Sequence, residues 1–242
     1  AVTLSVQGPR LSARGQPNPF RDVRLEVDFA LNGRTITVPG YFAADGRSAE
    51  SGANEGEEWH AKFLPDEEGN WQYRVSFRSG PDVVFADAAT AGEPLPADGA
   101  RGAFAVGPST AHGRNFRGKG ILRRDGHYLR FQNGERFLKG GTDSPENFLG
   151  SEGFDGAAPN SKSYEPHLAD WRPGDPLWRG RNGKGIVGAL NYLSDQGINS
   201  VYFLTNQIHV DGPRLVWPWI SPDPRHWDRY DVAKLAQWDL VF

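Results

Sequence analysis

Val23-Arg-Leu-Glu-Val-Asp-Phe-Ala-Leu31 alternates strictly, with Val23, Leu25, Val27, Phe29 and Leu31 on one side. A period of two is that of a strand with one face in a core and the other in water. Asn32-Gly33 follows, a dipeptide suited to the tight turn of a hairpin, and Thr35-Ile-Thr-Val-Pro39 is the returning strand. The same pattern extends in both directions. Val2 to Val6 alternates, as does Glu58-Trp-His-Ala-Lys-Phe-Leu64. Pro65 to Asn70 is a turn, and Trp71-Gln-Tyr-Arg-Val-Ser-Phe77 puts Trp71, Tyr73, Val75 and Phe77 on one face. Ala103 to Val106 reads as a closing strand. Short one-faced strands separated by turns predict an immunoglobulin-like antiparallel β-sandwich over residues 1–107. Ala43 to Gly56 and Pro81 to Arg101 are small, acidic and rich in Gly and Pro, which predicts long surface loops.

The whole chain fits this reading. Its 242 residues allow one large domain or two ordinary ones. With 38% hydrophobic and 24% charged residues, the composition is that of a globular protein. Thirty Gly, 18 Pro and eight Trp favour β-structure, turns and loops over a helical bundle. A net charge of -3 supplies no global field toward nucleic acid or membrane. No apolar run approaches the ~18 residues of a membrane-spanning helix. Cysteine is absent, which excludes disulfides, Cys-ligated zinc and thiol catalysis. Methionine is absent too, and the first residue is Ala1. The expectation is a chain freed of a leader, secreted or periplasmic, or a segment of a longer polypeptide.

Residues 108–135 read as a connector and a β-hairpin. Gly120 to Arg124 and His127 to Gln132 flank a turn at Asp125-Gly126, and Asn133-Gly134 turns again into Arg136-Phe-Leu-Lys139. From Arg114 to Lys139 six Arg and two Lys face only Asp125 and Glu135. Solvated strand faces and an interdomain contact account for these cations better than a nucleic-acid patch, because no aromatic residues recur as stacking platforms.

The second half turns on Arg136-Phe-Leu-Lys-Gly-Gly-Thr-Asp-Ser-Pro-Glu-Asn-Phe-Leu149. One reading is a capped turn, with Asp143 or Ser144 as helix cap and Pro145 at the first helical position. The other is a barrel strand followed by a polar rim loop, since (β/α)8 enzymes carry their sites at the C-terminal ends of the strands. A loop from Gly150 to Lys184 follows, long enough to be functional or to hide short elements. Gly185 to Gln196 is an amphipathic helix with Ile186, Leu190 and Leu193 on one face, and Gly197 stops it. Asn199 to Leu204 is a short apolar run that fits a buried parallel strand, and Asp228 to Phe242 reads as helix around Tyr230, Leu235 and Trp238. Strand, helix, Gly and strand make a βαβ unit, and 136–242 is expected to form the first part of a (β/α)8 (TIM) barrel. Two parallel strands cannot close a barrel and leave apolar faces and edges open. The remainder of the same polypeptide, or a companion fragment, is therefore an expected partner.

Several strings carry a resemblance. Asn18-Pro-Phe-Arg-Asp22, Val38-Pro-Gly40 and Lys62 to Tyr73 are similar to an N-terminal β-sandwich domain of unknown function in bacterial glycoside-hydrolase-like proteins, some labelled cellulase-like or collagen-binding. Phe137 to Leu149, Phe154-Asp-Gly156, Gly183-Lys-Gly185, Ala189 to Leu193, Gly197 to Leu204, Val216-Trp-Pro-Trp219 and Lys234 to Trp238 resemble the start of their (β/α)8 catalytic domain. The loop Asn206-Gln-Ile-His-Val-Asp211 departs from the family's Asn and Gly-Asp pattern after the second strand.

The resemblance implies hydrolysis of glycosidic bonds in a poly- or oligosaccharide. That chemistry uses two carboxylates, one protonating the leaving oxygen and one acting as nucleophile or base. Asp143 and Glu146 are close in sequence and early in the barrel, so they are expected to bind sugar hydroxyls or brace the site. The catalytic pair is expected on later strands, outside this chain. Asn147 is a candidate to donate a hydrogen bond to a sugar hydroxyl, and Asn206 and Asp211 would share the rim. Trp217 and Trp219 read equally as sugar-stacking platforms or as packing under a loop. No cofactor is implied. The six His lack HExxH or paired spacing, and His167 with Asp170 reads as a hydrogen-bonded pair before it reads as a metal site. Gly180-Arg-Asn-Gly183 has no strand before it and is not a phosphate loop. The alternatives to a hydrolase are a non-catalytic carbohydrate- or matrix-binding module and a sandwich that only braces the barrel.

Overall fold

The computed structural model describes residues 1–113, 115–142, 146–207 and 215–242. Two antiparallel sheets dominate it. The first is β1 (Val2–Ser12), β5 (Glu55–Phe63) and β4 (Tyr41–Ala44), in the order β1-β5-β4. The second is β3 (Arg34–Pro39), β2 (Val23–Leu31) and β6 (Gly69–Ser79), with β7 (Glu93–Pro94) and β8 (Arg101–Val106) both on the far edge of β6.

Register explains the core. Leu25 faces Phe77, Val27 faces Val75 and Phe29 faces Tyr73 across β2 and β6, so the apolar sides of both strands coincide. Phe29 stacks on Phe63 of the opposite sheet at 4.2 Å, and Trp59 packs on Phe42 and Phe77 at 5.3 Å. Trp59, Trp71, Phe29 and Phe77 are fully buried, and each such ring contributes about 1.5–3 kcal/mol by leaving water. The hairpin turn at Asn32-Gly33 has φ of 52° and 80°, left-handed values that glycine and asparagine tolerate.

Both predicted surface loops are more ordered than composition implied. Within 43–56 a single helical turn, α1 (Ser48–Ser51), forms, and Ala43, Ala44 and Ser48 are buried. The Ser48 hydroxyl donates to the Ala43 carbonyl at 3.0 Å, which folds the segment inward. Within 81–101 the buried Arg24 side chain donates to the carbonyls of Val83, Ala86, Ala88 and Ala89. Arg78 holds those of Ala91 and Gly92. Two strand arginines thus supply the donors that the loop backbone lacks.

A small antiparallel sheet follows, in the order β11 (Arg136–Phe137), β10 (Tyr128–Phe131) and β9 (Leu122–Asp125). Its cations are used locally. Arg123 and Arg34 both grip Asp66, and Gln132 donates to the Asp66 carbonyl at 2.6 Å. Lys119 pairs with Glu135 at 2.7 Å and Arg130 with Asp125 at 2.6 Å. Within the basic run Lys119, Arg123 and Arg130 are ion-paired, and the Arg123–Asp66 pair fastens the hairpin to the sandwich.

This sheet also corrects the reading of Arg136-Phe-Leu-Lys139 as the first barrel strand ahead of its rim loop. Arg136 and Phe137 close the antiparallel sheet, Leu138 is exposed, and parallel pairing begins only at β12 (Gly141–Thr142). β12 pairs with β13 (Ser200–Val201), Gly141 opposite Ser200. The predicted strand Asn199–Leu204 is therefore parallel but two residues long and half-buried. The Asn199 side chain sets the register by donating to the Leu138 carbonyl at 2.9 Å and accepting from the Gly140 amide at 2.7 Å.

Between these strands runs α2 (Lys184–Asp195), with Gly197 just past its end as expected. The 150–184 loop hides a 3-10 helix, Glu165–Asp170, which lies against α2. Gly188 permits this: a Cβ there would stand 2.0 Å from the His167 carbonyl oxygen. The last helix, α3 (Val232–Val241), starts later than predicted because Asp231 caps it, accepting from the Lys234 amide at 3.1 Å. No helix among the described residues is long and apolar enough to cross a membrane.

Candidate functional site

Polar and aromatic groups gather at the C-terminal ends of β12 and β13. The loops leaving the two strands are tied by the Leu204 amide, which donates to the Glu146 carbonyl at 2.8 Å. Asn206 is exposed on the second loop, and Glu146 and Asn147 are half-buried on the first. The Glu146 carboxylate has no hydrogen-bond or ion-pair partner among the described residues. The Asn147 side chain accepts from Lys162, which the sequence reading did not single out. Lys162 reaches it because its segment bridges Ser151 and its amide donates to the Gly150 carbonyl at 2.7 Å. Partial burial pulls the Lys162 ammonium below its ordinary pKa.

The Val216–Ile220 segment lies on the same rim. Leu215 sits against Gly150, where an added Cβ would come within 3.1 Å of the Leu215 side chain. The Gln207 amide donates to the Val216 carbonyl at 2.9 Å. The Gln207 side chain is 2% exposed, and neither its amide oxygen nor its amide nitrogen has a partner among the described residues. A buried, unsatisfied amide is costly and uncommon.

The tryptophans pack on one another. Trp217 meets Trp219 edge-on at 4.9 Å, Trp219 stacks on Trp227 at 5.2 Å, and Tyr230 lies parallel to Trp219 at 6.4 Å. Trp217 is buried and its indole donates to the Ser221 carbonyl at 3.2 Å. Trp219 and Trp227 are half-buried, and their indole nitrogens have no partner among the described residues.

The rim is moored to α3 and, through it, to the sandwich. The buried Lys234 donates to the carbonyls of Trp217 and Gly156, each at 3.0 Å, and burial lowers its pKa. Gln237 accepts from the Asp155 amide at 2.8 Å and donates to Ala49 of α1 at 3.2 Å. From the sandwich, Asn54 accepts from the first amide of α3 at 2.8 Å. Asn18 donates to Asp228 at 2.9 Å, and Phe20 meets Tyr230 edge-on at 5.2 Å. Arg229 donates to the carbonyls of Ala13 and Gly15 at 3.1 and 2.7 Å.

Of the predicted site residues, Glu146, Asn147, Asn206, Trp217 and Trp219 sit on loops that the structure brings together. Asp143 and Asp211 lie outside the described residues. Sequence reasoning passed over Lys162, Gln207, Trp227 and Lys234. Two buried polar residues three apart on α3, Lys234 and Gln237, interrupt an apolar face and were the one available signal. His167 and Asp170 are hydrogen-bonded at 3.0 Å, and no group of three metal-ligating side chains occurs among the described residues.

Residues 1–78 match a family described as a domain of unknown function, DUF5060. That match ends within the sandwich and does not reach the rim. No curated protein matches the chain. Among solved structures, the chain is similar to a "putative glycoside hydrolase" from Bacteroides vulgatus, at 18% identity and a TM-score of 0.57. The likeness covers 99% of this chain and 37% of that one, so the chain spans little more than a third of its neighbour's length. At this identity the likeness shows a shared fold alone.

Proposed function

We propose that this chain forms the N-terminal, immunoglobulin-like sandwich and the opening of the (β/α)8 barrel of an enzyme that hydrolyses glycosidic bonds. The domains in this reading are 1–107, 108–135 and 136–242. The rim beyond β12 and β13 is its carbohydrate-binding surface. The observation that carries the proposal is that a carboxylate without a partner among the described residues (Glu146), an amide held by a lysine (Asn147 with Lys162) and a half-buried indole (Trp219) all lie on loops leaving two parallel strands. Strand C-terminal ends are where α/β architectures bind ligands. Carboxylates and amides meet sugar hydroxyls, and an indole meets the apolar face of a sugar ring.

In this reading Asp143, Glu146, Asn147, Asn206 and Asp211 hold hydroxyls, Trp219 stacks, and Trp217 supports it from beneath. The acid and nucleophile of the reaction come from later strands. A further α/β segment covers the apolar cleft of about 710 Å³ between α2, β13 and the end of α3, where Phe203 stacks on Phe242 at 5.3 Å. A site of action outside the cytoplasm belongs to the same proposal, since an exported polysaccharide-degrading enzyme meets its polymer there.

The test is reducing-end release from a panel of polysaccharides by this chain and by the full-length gene product. Activity is expected only in the longer protein, and Asp143→Asn in it is expected to raise KM or lower kcat. Unchanged kinetics in that variant, or no release by the full-length product from any polymer, would refute the assignment.

A further inference from the structure

The solvent face of the second sheet carries a row that packing does not explain. Register places Thr37 opposite Asp28, Asp28 opposite Arg74, and Arg74 opposite Arg101, across four strands. The adjacent row on the same face is Thr35, Ala30, Gln72 and Ala103. Their sequence neighbours Val27, Phe29 and Val75 point into the core, so these two rows point outward. The small residues of the second row leave a shallow trough of about 460 Å³, bordered by Asp28, Arg74 and Arg101.

Like charges directly opposite one another weaken an antiparallel pair, yet Arg74 and Arg101 stand in that relation. Arg24, Arg34 and Arg78 on the same sheet all have hydrogen-bond partners. Arg74 and Arg101 have no hydrogen bond or ion pair among the described residues, and both are exposed. Asp28, by contrast, is oriented: the Thr37 hydroxyl donates to its Oδ1 at 2.6 Å.

We infer that this trough is a binding site for an acidic polysaccharide, reading one uronate unit. The sugar carboxylate bridges the guanidinium groups of Arg74 and Arg101, relieving their repulsion through charge-assisted hydrogen bonds. The neighbouring hydroxyls donate to Asp28 and exchange hydrogen bonds with Gln72 and Thr35. Asp28 sets the selectivity. It repels a ligand that is only anionic and favours one that carries hydroxyl donors beside its carboxylate. The site lies on the second sheet, whereas α3 touches β4 of the first. It is thus separate from the rim, and it rests on the carbohydrate reading only in the choice of a polysaccharide.

The experiment is calorimetric titration of the chain with pentagalacturonate, its carboxyl-reduced neutral counterpart, and sodium sulfate, at low ionic strength. Pentagalacturonate is expected to bind, and the Arg74→Gln/Arg101→Gln double variant to bind it at least about tenfold more weakly. Asp28→Asn is expected to narrow the preference for pentagalacturonate over sulfate. Both substitutions are on exposed strand faces, and circular dichroism checks that the fold persists. Equal affinity in the double variant, equal binding of the neutral oligomer, or tighter binding of sulfate would overturn the inference. Trp219→Ala separates the two sites. It leaves pentagalacturonate affinity unchanged if the trough is the site and abolishes it if the rim is, whatever the rim does with neutral sugars.

Discussion

The sandwich and the α/β part obtain order in different ways. In the sandwich, β2 and β6 pair over eight residues with aromatic rings from both sheets between them. In the α/β part, β12 and β13 pair over two residues, and the loops are held by side chains: Asn199, Lys162, Lys234 and Gln237. Val232 of α3 lies within the sandwich's own core. The first region is ordered chiefly by its own strands, and the second is fastened to it through α3 and Arg229. A region built on short strands and side-chain ties opens more readily than one built on long ladders, and it needs a rigid neighbour.

Removing Phe29 should have the largest effect. Phe29→Ala deletes a fully buried ring stacked between the sheets, and a loss of about 3–5 kcal/mol is expected in urea unfolding. If α3 depends on the sandwich, its helical signal is lost in the same transition. A helix that survives the sandwich would break the comparison.

Arg229→Ala comes next. It removes two charge-assisted bonds, one to a buried and one to a partly buried carbonyl, worth about 1.5–3 kcal/mol. Differential scanning calorimetry should then show two transitions where the native chain shows one. A single transition, merely shifted, would mean that the two regions are joined chiefly elsewhere.

Asp66 tests the joint with the hairpin, at about 1–2 kcal/mol for Asp66→Ala. The hydrogen bond from Arg34 holds its carboxyl below the usual carboxylate range. A depressed folded pKa contributes stability that is fully present above about pH 4 and is lost as pH falls through the folded value. Acid titration of the Asp66→Asn variant should therefore lack part of the native chain's loss below pH 4. Superimposable acid limbs would show that the Asp66 charge does not hold the joint. Leu138→Ser, at a position 71% exposed, should change stability by no more than about 0.5 kcal/mol. A larger loss would show that Leu138 belongs to a buried barrel strand after all.

Much of the sandwich was legible because strict apolar–polar alternation over seven or more residues suits a half-buried strand and little else. Val23 to Leu31 and Trp71 to Phe77 named their own core residues. Helix α2 was legible from its period and from Gly197. What failed was length and partnership. Asn199 to Leu204 is apolar, but an apolar run does not say whether it pairs or packs, and only Ser200 and Val201 pair. Phe203 instead meets Phe148 and Phe242. Arg136 and Phe137 looked like the start of a parallel strand because nothing in them reveals that β10 takes their hydrogen bonds. At the rim, Trp217 and Trp219 could be picked out but not their mutual packing. Lys162 was invisible, since a lone lysine in a long loop has no pattern.

The place where a neutral oligosaccharide binds decides between a rim site and a sandwich site. Amide hydrogen exchange of the chain, with and without a saturating neutral oligosaccharide from the polymer panel, reads this directly. Protection is predicted at 146–150, 204–207 and 215–219, with β2 and β6 unchanged. Protection confined to the sandwich would contradict a rim site and make the chain a binding module.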